Sequence, residues 1–97
     1  MESSSEATAL PAAPTFLSLY YTQYCGYCTL VRSAIDRLGL AVELRDTLSD
    51  RDALDELVRA RGRRTVPVLR VEREGAVEWL PESRDIVTYL NSLAKSA

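Results

Sequence analysis

The feature that most constrains the fold is a strand-length apolar run that leads into a turn holding both cysteines of the chain. Residues 16–21 (FLSLYY) are almost all apolar or aromatic, as in a strand that is covered on both faces. From Tyr27 the apolar residues recur at steps of three and four, and Gly39 follows where a helix would end in a left-handed cap. Cys25 and Cys28 lie at the junction of the two segments, so the sequence predicts a strand, a reactive turn and a helix in direct succession.

The rest of the chain continues to alternate strand and helix signals. Ser49 precedes Asp50 and Asp52, a pattern typical of a helix N-cap followed by an acidic first turn. The predicted elements after the first helix are a strand at 40–44, a helix from its N-cap Ser49 to Gly62, strands at 66–71 and 76–80 that form a hairpin, and a helix after Pro81. The order is therefore βαβαββα.

Size and charge limit the classes of protein that this chain can belong to. Its 97 residues, 46% of them hydrophobic and 27% charged, suit one compact domain. We predict that this domain spans residues 15–97 and that residues 1–14, rich in Ser, Ala, Glu and Pro, form a disordered tail. A net charge of −2 argues against a partner held by bulk positive charge, such as nucleic acid or an anionic membrane.

The N-terminal residues and the number and spacing of the cysteines predict the cellular compartment of the protein. The first residues lack the basic start and apolar run of a signal peptide, and no apolar run approaches the about 18 residues of a membrane-spanning helix. Two cysteines three positions apart cannot cross-link distant parts of a fold, unlike those of secreted disulfide frameworks. The sequence therefore predicts a cytoplasmic protein with no membrane partner.

The two-residue spacing of the cysteines points to redox or nucleophilic chemistry. If the helix begins near Gly26, Cys25 lies at its amino end and Cys28 lies one turn in, so Cys25 is the exposed sulfur and helix N–H groups favour its thiolate. A zinc site would need carboxylates as further ligands, because the chain has two cysteines and no histidine. A pair of merely buried cysteines is the remaining alternative, and the strand-turn-helix setting favours the redox role over both.

Three separate stretches together resemble the glutaredoxin family of the thioredoxin-like fold. These are the cysteine turn at 25–28, Thr65-Val66-Pro67 before the third strand, and the run 82–85 (ESRD) that opens the last helix. The resemblance spans roughly residues 16–94 and implies a four-stranded mixed sheet flanked by three helices. The Glu-Ser pair within the last stretch is more similar to the N-terminal domains of glutathione transferases than to many glutaredoxins.

The resemblance also implies a site for glutathione. Cys25 would be the attacking thiolate and Cys28 the resolving thiol. The backbone around a cis Val66–Pro67 bond would hold the cysteine part of glutathione, and the start of the last helix would hold its γ-glutamyl end. The glutathione-binding residues that follow from the resemblance are Tyr27, Arg64, Val66, Pro67, Glu82 and Ser83.

One departure from the family concerns the charge near the reactive thiol. Glutaredoxins commonly place a lysine three residues before the first cysteine, where this chain has Thr22, and its single lysine is Lys95. Stabilisation of the Cys25 thiolate would then rest on the helix N-terminus, local N–H donors and any nearby arginine.

The leading functional hypothesis is a glutathione-dependent thiol-disulfide oxidoreductase that acts on protein–glutathione mixed disulfides and on protein disulfides, with glutathione as cosubstrate. It would be a monomer without a metal. The alternative is a carrier or sensor in which two chains bridge a [2Fe–2S] cluster through Cys25 and two glutathiones. Gly26, where many dithiol relatives have proline, leaves the turn flexible enough for that. A glutathione transferase fragment is disfavoured, because an all-helical second domain is lacking and two cysteines are present.

Overall fold

The computed structural model describes residues 14–96, and the predicted tail lies outside this range except for Pro14. The elements are β1 (Phe16–Tyr21), α1 (Gly26–Leu38), β2 (Glu43–Asp46), α2 (Arg51–Arg61), β3 (Val68–Arg73), β4 (Ala76–Leu80) and α3 (Ser83–Ser96). Their order is the predicted βαβαββα. None of the helices in this part of the chain is long and apolar enough to cross a membrane.

The four strands form one mixed sheet in the order β2-β1-β3-β4. β1 is parallel to β2, and both the β1–β3 and the β3–β4 pairs are antiparallel. Tyr20 near the end of β1 pairs with Val68 at the start of β3. The turn that follows β1 and the loop that precedes β3 therefore emerge at the same end of the sheet.

The core lies on both faces of the inner strands. One cluster packs β1 and β3 against α1 and α3, and the other packs them against α2. The first cluster consists of Leu17, Leu19, Val31, Ile35, Leu69, Val71, Ile86 and Leu90; the second consists of Tyr20, Ala53, Leu57 and Val68. Because side chains alternate between the faces of a strand, Leu19 and Tyr20 enter different clusters, which explains the nearly continuous apolar run of β1.

Three predicted element starts are wrong, and β2 and β3 each end two residues later than predicted, at Asp46 and Arg73. Asp50, not Ser49, is the N-cap of α2, and its carboxylate accepts a hydrogen bond from the Ala53 N–H at 3.2 Å. β2 begins at Glu43, three residues later than predicted, because the apolar residues before it pack against the core without joining the sheet. β3 begins at Val68, just after Pro67, whose nitrogen has no hydrogen to donate to a neighbouring strand.

Candidate active site

Cys25 is positioned by the amino end of α1. It is the N-cap residue, with extended backbone angles (φ −106°, ψ 119°), and its Sγ accepts a hydrogen bond from the Cys28 N–H at 3.2 Å. Its side chain is partly exposed. A cysteine in place of the usual N-cap hydroxyl or carboxylate puts sulfur where a helix offers unpaired N–H donors, which is a place that favours an anion.

Cys28 is enclosed by the protein. Its relative exposure is 0%, and burial, followed by its hydrogen bond with Cys25, raises the pKa of its thiol to about 12, although a backbone hydrogen bond from Thr22 acts in the opposite direction. Both cysteines are free thiols. As the spacing predicts, one sulfur can reach solvent, and the second lies behind it as a neutral thiol.

The loop before β3 faces the exposed thiol. The Val66–Pro67 peptide bond is cis, as the resemblance predicts. The Cys25 S–H donates to the Val66 carbonyl oxygen across 4.0 Å. Residues 41 positions apart in sequence thus meet at one end of the sheet.

A cavity of about 660 Å³ opens beside this contact. The start of α1, the loop before β3 and the start of α3 contribute its walls. Its lining residues are Tyr27, Thr65, Val66, Pro67, Pro81, Glu82, Ser83, Arg84 and Asp85. Five residues of the predicted glutathione set, from three distant stretches of sequence, therefore share one cavity.

The start of α3 supplies the polar end of the cavity. The helix begins at Ser83, and the Glu82 carbonyl accepts from the Ile86 N–H at 2.9 Å, so Glu82 and not Ser83 occupies the N-cap position. N–H groups in the first turn of a helix have no acceptor within the helix, and they attract anions. The carboxylates of Glu82 and Asp85 lie beside them, so this end of the cavity offers partners for both signs of charge.

Arg64 is not brought into this cavity. It is exposed, and among the described residues the arginine of the lining is Arg84. The resemblance implies no separate role for Thr65, Pro81 or Arg84, and it includes Asp85 only as an acidic residue of the stretch 82–85. Arg84 and Asp85 directly follow the Glu-Ser pair, and one turn of helix carries all four side chains, so that adjacency was the available signal.

Fold and site together define a thioredoxin-like domain. Residues 19–97 match the model of the glutathione S-transferase N-terminal domain family, and the chain belongs to this family. The predicted thioredoxin-like family is thereby confirmed, and the matching model is the transferase one to which the Glu-Ser pair pointed. No curated protein sequence matches the chain.

Solved structures with this fold include transferases, isomerases and glutaredoxins. Glutathione transferase Omega 2S from Trametes versicolor has a TM-score of 0.68 at 16% identity, over 84% of this chain and 37% of the transferase. A maleylacetoacetate isomerase from Anaeromyxobacter dehalogenans, with bound GSH, has a TM-score of 0.63 at 30% identity, over 82% of this chain and 38% of the isomerase. Wheat glutaredoxin has a TM-score of 0.60 at 19% identity, over 97% of this chain and 91% of the glutaredoxin. The chain thus spans little more than a third of the transferase and isomerase.

Proposed function

We propose that this protein is a glutathione-dependent thiol-disulfide oxidoreductase that removes glutathione from mixed disulfides. The observation that carries the proposal is the unequal pair of thiols. Cys25 is partly exposed, receives a backbone hydrogen bond and lies beside a cavity, whereas Cys28 is completely buried within the same helical turn. A lone structural cysteine pair would need neither the open cavity nor the N–H donor.

The cavity suits glutathione in shape and polarity. Glutathione is an extended tripeptide with an ammonium and a carboxylate at its γ-glutamyl end. The Val66 backbone lies next to the Cys25 sulfur, where the cysteine part of glutathione would align like an added strand. The N–H groups at the start of α3 and the Ser83 hydroxyl suit the γ-glutamyl carboxylate, and Glu82 and Asp85 suit the ammonium. The related isomerase with bound GSH supports this assignment.

The reaction takes place by two thiol-disulfide exchanges. The Cys25 thiolate attacks the glutathione sulfur of a mixed disulfide, the Cys25–glutathione bond forms, the old disulfide bond breaks, and the departing protein thiolate takes up a proton. A second glutathione thiolate then attacks the glutathione sulfur on Cys25. Oxidised glutathione leaves, and the Cys25 thiolate is restored. One free glutathione is therefore consumed for each mixed disulfide, and the other half of the oxidised glutathione comes from the substrate.

Cys28 has a separate task in this proposal. When Cys25 is joined to a protein sulfur, Cys28 attacks Cys25, closes the 25–28 disulfide and releases the protein thiol. Two glutathiones then reduce the 25–28 disulfide and leave as oxidised glutathione. Burial keeps the Cys28 thiol neutral in the resting protein, so this step requires its proton to be lost as the mixed disulfide forms. Deglutathionylation does not need it, because free glutathione can resolve the Cys25 intermediate.

Two serine variants test this division of labour. Cys25→Ser should abolish turnover of both a glutathionylated peptide and a protein disulfide, because a hydroxyl is far too weakly acidic to replace the thiolate and the chain has no histidine to activate it. Cys28→Ser should retain deglutathionylation and lose most protein-disulfide reduction. Glutathione and its reductase would supply electrons, and circular dichroism would verify folding. Activity in Cys25→Ser, or loss of deglutathionylation in folded Cys28→Ser, would contradict the mechanism.

The cluster-bridged dimer is not the function that we favour. Among residues 14–96 no group of three or more Cys, His, Asp or Glu side chains is arranged to hold a metal. One chain would offer a single accessible thiol, Cys25, and the remaining ligands would have to come from glutathione and a second copy. Anaerobic reconstitution with iron, sulfide and glutathione tests this alternative directly, since a cluster would colour the protein.

A further inference from the structure

A second cavity adjoins the proposed glutathione site along the surface between two helices. Its volume is about 330 Å³, and we call it the α1–α3 groove. Its apolar lining comes from Leu30 and Ala34 of α1 and from Val87 of α3. Leu30 is 54% exposed, although it belongs to the apolar repeat that predicted α1. This part of the repeat therefore faces an open groove and not the core.

The rim of the groove is positively charged. Arg37 of α1 and Arg84 of α3 line it, and neither forms a salt bridge with any residue in the described range. In the same range four arginines, such as Arg45, are paired with carboxylates, and the remaining ones have no salt bridge. Two unpaired guanidinium groups beside an apolar floor suit a ligand that carries both an apolar side chain and a carboxylate.

The groove is continuous with the site of chemistry. Tyr27, Ser83 and Arg84 line both cavities, so the two share a wall. In a mixed-disulfide substrate the first cavity would be filled by glutathione, and the polypeptide attached to the other sulfur must lie elsewhere on the surface. The groove begins at Tyr27, within one helical turn of Cys25, and its apolar lining begins at Leu30.

Helix geometry gives the spacing that such a polypeptide would need. At 1.5 Å per residue, Leu30 lies about 7.5 Å and Arg37 about 18 Å along α1 from Cys25. An extended peptide advances roughly 3.3 Å per residue, so these distances correspond to about two and about five residues from the modified cysteine.

We propose that the α1–α3 groove binds the polypeptide part of the mixed-disulfide substrate, and that it selects segments with an apolar side chain about two residues, and an acidic side chain about five residues, from the glutathionylated cysteine. The proposal rests on the proposed function, and it adds the class of substrate. Peptides that lack the apolar or the acidic residue would still react, but they would bind more weakly.

Three substrates separate this proposal from the proposed function. The first is a glutathionylated peptide with leucine and glutamate at these spacings on both sides of its cysteine, which removes the choice of chain direction. The second is the same peptide with serine at those positions. The third is the mixed disulfide of free cysteine and glutathione, which is too small to reach the groove. Turnover of the third substrate measures the proposed function alone.

Leu30→Glu is the main test variant. We expect it to lower kcat/KM for the leucine-glutamate peptide by about tenfold, chiefly through KM, since burial of one leucine side chain is lost and a like charge is introduced. Turnover of the cysteine–glutathione disulfide should change by less than about twofold, and the serine peptide should be little affected. The matched control is Val58→Glu, which places the same charge at an exposed apolar residue of α2, on the other face of the sheet.

Arg37→Glu tests the charge of the rim independently. It should reverse the preference between the leucine-glutamate peptide and a leucine-lysine version, whereas Arg59→Glu on α2 should not. The proposal is overturned if wild-type protein turns over the small disulfide but does not distinguish the peptides, or if Leu30→Glu and Arg37→Glu leave the peptide kinetics unchanged. It is also overturned if sedimentation shows a dimer that Leu30→Glu dissociates, because the groove would then bind a second copy. If wild-type protein does not turn over the small disulfide, the proposed function itself fails.

Discussion

Cys25 and Cys28 lie within one helical turn, yet solvent reaches only one of the two sulfurs. The difference arises from their places on α1. The N-cap position holds Cys25 at the surface next to the Cys28 N–H, and the first turn directs Cys28 into the protein, with a relative exposure of 0%. Two identical functional groups therefore acquire different chemistry from backbone geometry alone.

This difference predicts unequal alkylation of the two thiols. At neutral pH iodoacetamide should modify Cys25 at least about tenfold faster than Cys28, because burial raises the pKa of Cys28 to about 12 and also blocks access to its sulfur. Peptide mass spectrometry over a time course would measure both rates. In denaturant the rates should converge, and equal rates in the folded protein would contradict the described site.

For single residues, the chemistry of a side chain could be predicted from the sequence better than its contacts could. The spacing of the cysteines, with the helix period that follows, was enough to assign the exposed and the buried sulfur. Arg64 and Arg84 show the limit. Both are arginines next to a predicted site stretch, and only the path of the chain decides which one lines the cavity. The role of each predicted glutathione-binding residue stays a prediction.

Among the elements, α2 shows how a single side chain defines a helix start. The Asp50 carboxylate accepts from the Ala53 N–H, and it also lies 3.4 Å from the Arg45 guanidinium. The Ser49 backbone N–H instead donates to the Asp46 carbonyl at 3.3 Å. Ser and Asp are both good N-cap residues, so adjacent candidates could not be separated by residue type.

Replacing Asp50 should therefore destabilise the protein, and replacing Ser49 should not. Asp50→Ala removes the cap and is expected to lower the free energy of unfolding by about 1 kcal/mol, whereas Ser49→Ala should change it by less than about 0.5 kcal/mol. Asp50→Asn keeps a capping oxygen and removes the charge, so it separates the cap from the ion pair. Urea unfolding would measure all three, and a larger loss in Ser49→Ala than in Asp50→Ala would show that the described helix start is wrong.

Element types were predictable because each has a distinct apolar period. The boundaries of the elements were less predictable, as β2 illustrates. Leu40 and Val42 suggested a strand, but their burial comes from packing beside the α1–α3 core, and pairing with β1 begins only at Glu43. A segment whose side chains are buried and a segment whose backbone pairs in a sheet both contain a short run of apolar residues. Tertiary contacts are therefore needed to distinguish the two.

For the whole molecule, one ionisable group is buried on each side of the sheet. Cys28, in the first turn of α1, is buried on one side. On the other side Tyr20 donates to the Glu56 carboxylate at 2.7 Å, and burial, followed by the hydrogen bond and negative charge of Glu56, raises the pKa of Tyr20 to about 12. Both groups are neutral in the folded protein at physiological pH.

These raised pKa values predict a loss of stability in alkali. The unfolded chain releases these protons from ordinary pKa values of 9.0 for Cys28 and 10.0 for Tyr20, and the folded protein keeps both until about pH 12. Their contribution is therefore complete below about pH 9 and is lost as the pH rises toward 12, with a slope of about 1.4 kcal/mol per pH unit for each group.

Urea unfolding under reducing conditions between pH 7 and 11 would measure this slope. Cys28→Ala should delay the onset of the loss, because only the Tyr20 contribution remains, and Tyr20→Phe should reduce the slope at the higher pH values. An identical pH dependence in both variants and the wild type would refute the linkage.

The strand order has a consequence for how the site can open. β1 and β3, which precede Cys25 and follow Pro67, are the inner strands and carry fully buried residues such as Leu19 and Leu69, whereas the outer strands β2 and β4 have no buried residue. Local fluctuations begin where burial is least, so the edges of the sheet should exchange their amide hydrogens first. The two loops of the site are thus anchored to the strands that should open last.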